Sequence, residues 1–260
     1  MSVETGIEMA CYAANLSAIG AIEKLYKPSL ARIHKGRWVV VSVTLSGDFV
    51  DHVRWLYWHA LDQVKEGGVV REGCNVFTQH AAPAYICAVA AVEAFINETV
   101  FGTATFAKPA QSPLAMLDQD WVEKLELKHK LVIIPQLLFS CTFDRGGQPY
   151  QDMSILIRIR NDLVHYRMVG QTPGYIAHLQ ERRIVLATGK PSADYAWVHK
   201  LSCSEGIRWA NNTTCRLVHA FAEMVPEGEA VPLLQTLANN FSEISDDLVG
   251  NRFKELEPSE

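Results

Sequence analysis

Apolar side chains recur every three or four residues over most of this chain, and prolines and glycines cut that rhythm into separate runs. Such spacing puts the apolar groups on one face of a helix, so each run must bury a stripe against a neighbour. The first run covers 7–26 (Ile7, Ala10, Cys11, Ala14, Ala18, Ala21, Ile22, Leu25) and stops before Pro28. A second, at 48–65, has Phe49, Val53, Leu56, Ala60 and Val64 as its inner stripe and ends at Gly67-Gly68. The pattern predicts further helices over 80–101, with Pro83 in the first turn, and over 118–140, with Pro135 as a kink or end. Three more are expected at 153–168, closed by Gly170, at 203–224, closed by Pro226, and at 231–256. Residues 141–152 read as a loop. The β-branched 37–45 segment suits a short strand or a buried helix start, and 181–189 a helix end or a small strand. The expected fold class is all-α: a helical bundle with at most a minor strand pair. Its expected parts are an N-terminal helical extension over 1–70, the bundle over 75–226 and a C-terminal helix or tail over 227–260.

Composition narrows the function classes. At 260 residues, 48% apolar and 20% charged, the chain is neither disordered nor a disulfide mini-scaffold. With 24 Lys and Arg against 29 Asp and Glu, its formal charge of −5 excludes a uniformly basic nucleic-acid coat, though not a local basic patch. The cysteines at 11, 74, 87, 141, 203 and 215 form no CxxC pair, so no structural zinc is expected. Glu4 and Glu8 precede the first basic residue, Lys24, unlike a signal peptide. No 18-residue apolar run is expected to span a bilayer, and the expectation is a cytoplasmic protein with reduced thiols and no membrane contact.

The chemistry concentrates in 155–167. On one helix Arg158, Asn161, Asp162 and His165 form a polar stripe, while Leu156, Ile159, Leu163 and Tyr166 form an apolar one. Arg160 lies ~140° round the helix from His165. An imidazole can act as acid or base near neutral pH, and a guanidinium offers a fixed fork to a phosphate. Asn161 precedes His165 by one helical turn and can orient its ring or donate to a phosphate oxygen. Glu93 interrupts the stripe of Ala82, Ile86, Val89, Ile96 and Val100, and a charge there calls for a partner. The expected role of Glu93 is to anchor Arg160 or the ring of His165, with Asn97 beside it. Arg145 in the Gly146-Gly147 turn, with Arg158, Tyr166 and Arg167, completes the set of RNA-binding candidates. Arg182, Arg183 and Arg208 are weaker phosphate contacts. His52, Trp55 and His59 share a stripe opposite the apolar one of their helix, suited to base stacking or to packing. No metal-ligand or nucleotide-binding motif is present in the sequence, and neither metal nor cofactor is expected.

The run Arg160-Asn161-x-x-x-His165 resembles the R-x4-6-H motif of the HEPN superfamily. The 90–101 helix (AAVEAFINETVF) resembles the upstream helix of that group, and 202–221 its closing helix. The resemblance spans roughly 75–226 and implies a helical bundle. It also implies a metal-independent endoribonuclease with Arg160, Asn161 and His165 as catalytic residues and RNA as substrate. Further implications are a toxin or phage-defence role, an antitoxin or defence-system partner, and a homodimer with a composite site. Tyr166 follows His165 directly, whereas HEPN toxins modified by a nucleotidyltransferase carry H-x-Y, so such a partner is not expected. The alternative is a non-catalytic HEPN-like module that binds RNA, a nucleotide or a protein.

Overall fold

A computed structural model describes residues 33–34, 37–38, 45–65, 76–106, 124–165, 171–185, 197–225 and 231–248. The chain divides into two compact units, 1–43 and 44–260. In the first, β1 (Ile33–His34) pairs antiparallel with β2 (Arg37–Trp38), in register Ile33 to Trp38 and His34 to Arg37. The helix expected over 7–26 lies outside the described residues.

The second unit is an all-α bundle. Its helices are α1 (Leu45–Lys65), α2 (Val76–Phe106), α3 (Leu127–Phe139), α4 (Gln148–Val164) and α5 (Gly174–Glu181). A short α6 (Trp197–Lys200) follows, then α7 (Ser204–Glu223) and α8 (Val231–Ala238). The longest helix, α2, is the central element: α1, α3, α4, α7 and α8 all pack on it. Its inner face is made of small residues and two large ones. Ala84, Ala88 and Ala91 let neighbouring backbones approach, while Tyr85 and Phe95 fill the gaps. Phe95 meets Phe221 and Phe241 edge-to-face at 5.6 and 5.7 Å, which ties α2 to α7 and to the segment after α8. Gln79–Val100 has the length and mean hydropathy, 1.2, of a membrane-crossing helix, contrary to the reading that no run is long enough. Most of it is buried by the surrounding helices, and that position accounts for its composition.

Several boundaries differ from the sequence expectation, each for a local reason. The α2 helix starts at Val76, so Pro83 is internal; the carbonyl its ring deprives of a donor belongs to exposed Gln79, where water can replace the bond. At the other end α2 continues through Gly102. The helix expected over 118–140 is broken at 125–126 and begins at Leu127; residues 118–123 lie outside the described set. Pro135 stays inside α3, which ends at Ser140 in the left-handed region, φ 55°. The last helix stops at Ala238 instead of running to 256. Beyond it the chain leaves the helix through a turn at 239–240 and an irregular stretch over 241–245, which buries Phe241 and Ile244 in the core; 246–248 are helical again, and 249–256 lie outside the described residues.

That irregular segment is held by a ladder of α7 side chains. Asn212 donates to the Ile244 carbonyl at 3.1 Å and accepts from its N–H at 2.8 Å. Asn211 donates to the Ser242 carbonyl, His219 Nε2 lies 2.8 Å from the Phe241 carbonyl, and Arg216 pairs with Glu243. At the start of α1 the Ser46 N–H and hydroxyl both donate to Glu98 of α2, so the cap comes from another helix. Burial pushes the Glu98 carboxyl up despite these bonds. Among the described cysteines Cys87 and Cys215 are buried free thiols, raised by burial to about 11 and about 12.

Candidate active site

The α4 helix carries the motif. Gly147 precedes it in extended backbone and Pro149 occupies its first turn, a placement that costs no hydrogen bond. Before it, the Asp144 carboxylate accepts from the Gly146 N–H at 2.9 Å and its carbonyl from the Gly147 N–H at 3.0 Å. The 144–147 turn is therefore hydrogen-bonded, with Arg145 exposed at its apex. A Cβ on Gly147 would lie 3.1 Å from the Asp144 carboxylate, so the turn favours glycine there.

The helix starts five residues earlier than the expected 153 and ends before His165. His165 is its C-cap, with φ −106° and ψ 33°, and its N–H donates to the Asn161 carbonyl at 2.9 Å. Leu156 and Ile159 are fully buried, whereas Arg158, Asn161 and His165 are exposed. The polar stripe thus faces solvent. Asp162 in that stripe is engaged: it accepts from the Tyr175 hydroxyl of α5 at 2.9 Å. Burial and that carboxylate together push the Tyr175 phenol well above its ordinary range. Tyr166 and Arg167 lie outside the described residues.

Arg160 sits apart from this stripe, half-buried toward α2. Its Nη2 lies 4.0 Å from Glu93 Oε2, ion-pair range but beyond a hydrogen bond. The other Glu93 oxygen lies 3.5 Å from Lys130 Nζ of α3. Lys130 also donates to Asn97 Oδ1 at 3.0 Å. Asn97 and Glu93 thus meet at the same ammonium. Glu93 does meet Arg160, but its side chain is 37% exposed, at the edge of the core and not within it. The deepest face of α2 runs through Ala84, Ala88, Ala91 and Phe95 instead, so a carboxylate at 93 reaches water.

Lys130 was not singled out in the sequence, although the signal is the one that exposed Glu93. It falls on the buried stripe of Leu127, Leu131, Ile134 and Pro135, and is itself fully buried. Asp152 is the other such case, one turn before Leu156 on the apolar stripe of α4. Arg182 grips it with both nitrogens, one at 2.9 Å, Gln148 donates at 3.0 Å and the Trp209 indole at 3.3 Å. Burial alone would raise this carboxyl, but the hydrogen bonds from Arg182, Gln148 and Trp209 hold it below the ordinary range. Arg182 thereby ties the end of α5 to α4, Trp209 ties α7 to the same carboxylate, and Arg208 pairs with Glu205 and Asp246. Neither is the open phosphate contact expected, whereas Arg183 is exposed, at φ 58°.

His52, Trp55 and His59 do share one face of α1. The two imidazoles stack on opposite sides in sequence of Trp55, with centroids at 5.5 and 4.7 Å, and His80 follows His59 at 5.5 Å. The tryptophan is already stacked within the chain, which weakens its case as a base platform. Among the described residues no three His, Cys, Asp or Glu side chains form a group able to hold a metal.

No protein-family model, curated protein or solved structure matches this chain. The reading of its site therefore rests on the chemistry of Arg160, Asn161, His165 and their surroundings.

Proposed function

We propose that the protein is a metal-independent endoribonuclease of HEPN type, acting as a toxin or defence effector. The observation that carries the reading is Arg160 held at ion-pair range by Glu93 on a helix whose Asn161 and His165 open to solvent. In this reading Arg160 binds the scissile phosphate and neutralises charge as the phosphorane forms. His165 removes the proton of the ribose 2′-hydroxyl, which attacks the adjacent phosphorus and displaces the 5′-oxygen. That oxygen takes up a proton, leaving a 2′,3′-cyclic phosphate and a 5′-hydroxyl. Asn161 steadies a phosphate oxygen, and exposed Arg145 and Arg158 bind flanking phosphates. Arg160 and His165 diverge by ~140° on one helix. A two-fold homodimer that joins two motif helices supplies the second imidazole as acid.

The test is incubation of the purified protein with an end-labelled RNA pool in EDTA, followed by mapping of the termini. Cleavage with cyclic-phosphate ends is expected, with a loss of ~10²–10⁴-fold in His165→Ala. A folded His165→Ala protein that cleaves at the parental rate removes His165 from the mechanism. RNA binding without any cleavage would favour the non-catalytic module.

A further inference from the structure

We infer that Lys130 is a positioning residue for Arg160, keeping its guanidinium free for an anionic RNA phosphate by sharing the Glu93 carboxylate. The inference rests on the reading of Arg160 as a phosphate-binding group. It begins from the division of Glu93, one oxygen 3.5 Å from Lys130 and the other 4.0 Å from Arg160. An arginine and a carboxylate left alone favour a closed bidentate pair at hydrogen-bond distance. Here that pair is not formed. The ammonium beside it is fully buried, fixed by Asn97 at 3.0 Å, and cannot swing into water as a surface lysine does.

Charge arithmetic gives the consequence. Lys130, Glu93 and Arg160 sum to +1, so an approaching phosphate meets a net cation although the whole chain carries −5. Without Lys130 the remaining pair sums to zero and Arg160 closes onto Glu93. Without Glu93 the site sums to +2. Asn97 takes part only by holding the ammonium in place.

The experiment measures binding of a short fluorescent RNA by anisotropy at fixed low salt, in a His165→Ala background so that no cleavage intervenes. Lys130→Met should weaken binding about tenfold, the effect of one nearby unit charge across a partly hydrated gap. Lys130→Arg should retain most of the affinity. Glu93→Gln should tighten binding, and Lys130→Met with Glu93→Gln, which restores +1, should recover the parental affinity. A folded Lys130→Met protein with parental affinity overturns the inference, as does a double variant no better than Lys130→Met. If Lys130→Met fails to fold by circular dichroism, Glu93→Gln decides: tighter binding supports the inference, and unchanged or weaker binding overturns it. Parental protein that neither binds nor cleaves RNA, and is indifferent to Arg160→Gln, overturns the ribonuclease reading and the inference with it. Robust RNA binding that ignores Lys130 and Glu93 sinks the inference alone.

Discussion

Replacing Gly206 by alanine should destabilise the bundle, and removing one oxygen atom on another helix should undo most of that loss. Gly206 lies in the first turn of α7, where an added Cβ would sit 2.2 Å from the Tyr85 hydroxyl oxygen. Contact at ordinary range begins near 3.4 Å, so the hydroxyl would have to withdraw by about an ångström. It has nowhere to go: Tyr85 is fully buried on α2 and its hydroxyl donates to the Leu201 carbonyl at 3.1 Å. Overpacking of this kind costs ~1–3 kcal/mol, and losing the hydrogen bond adds ~1 kcal/mol. Against this, alanine is better than glycine in a helix by at most ~1 kcal/mol. The net is a loss of about 2 kcal/mol. In Tyr85→Phe the nearest ring atom to the new Cβ is 3.4 Å away, and the Leu201 carbonyl oxygen at 3.1 Å is the one tight contact left, so Gly206→Ala should there cost clearly less than in the Tyr background. Urea denaturation of the four proteins, followed by tryptophan fluorescence, gives the coupling energy directly. A Gly206→Ala penalty equal in the Tyr and Phe backgrounds would refute the steric reasoning.

Asp152→Asn should cost about 3 kcal/mol, because it strips the partner from a buried ion pair. Since the folded carboxyl lies below its unfolded value of ~3.9, its contribution is complete above that value and fades as pH falls through the folded one. Urea titrations at neutral pH and near pH 3 should therefore show a gap between parent and variant that narrows in acid. Asn212→Ala should release the irregular segment after α8, since it removes two hydrogen bonds to the Ile244 backbone; limited proteolysis should cut there first while the rest of the bundle stays intact. A homodimer should appear in light scattering at micromolar concentration, with disulfide crosslinks forming between copies of a cysteine introduced beside His165. A strictly monomeric, active protein would end the composite-site proposal.

The all-α class was legible because helix-forming periodicity is local: each run of Leu, Ile, Val and Ala records its own buried face. The helices at 203–224 and 48–65 kept their boundaries to within a few residues for that reason. Glu93 was legible as a charge on an apolar stripe, since a charge in such a place needs a partner whatever the fold; Lys130 and Asp152 carry the same signal and were missed. Which partner it finds is not local. Lys130, Asn97 and Arg160 stand on three different helices, and only the packing of α3 and α4 against α2 divides one carboxylate between two cations. The end of the last helix was decided in the same way. Residues 241–245 carry helical spacing, yet irregular backbone buries Phe241 and Ile244, and the side chains of α7 satisfy the peptide groups that leave the helix. The sequence by itself determined the all-α class, the place of most helices and the misplaced charge at Glu93. The tertiary structure alone chose the pairings, because hydrogen-bond and ion-pair energies depend on distances that exist only once the helices have packed.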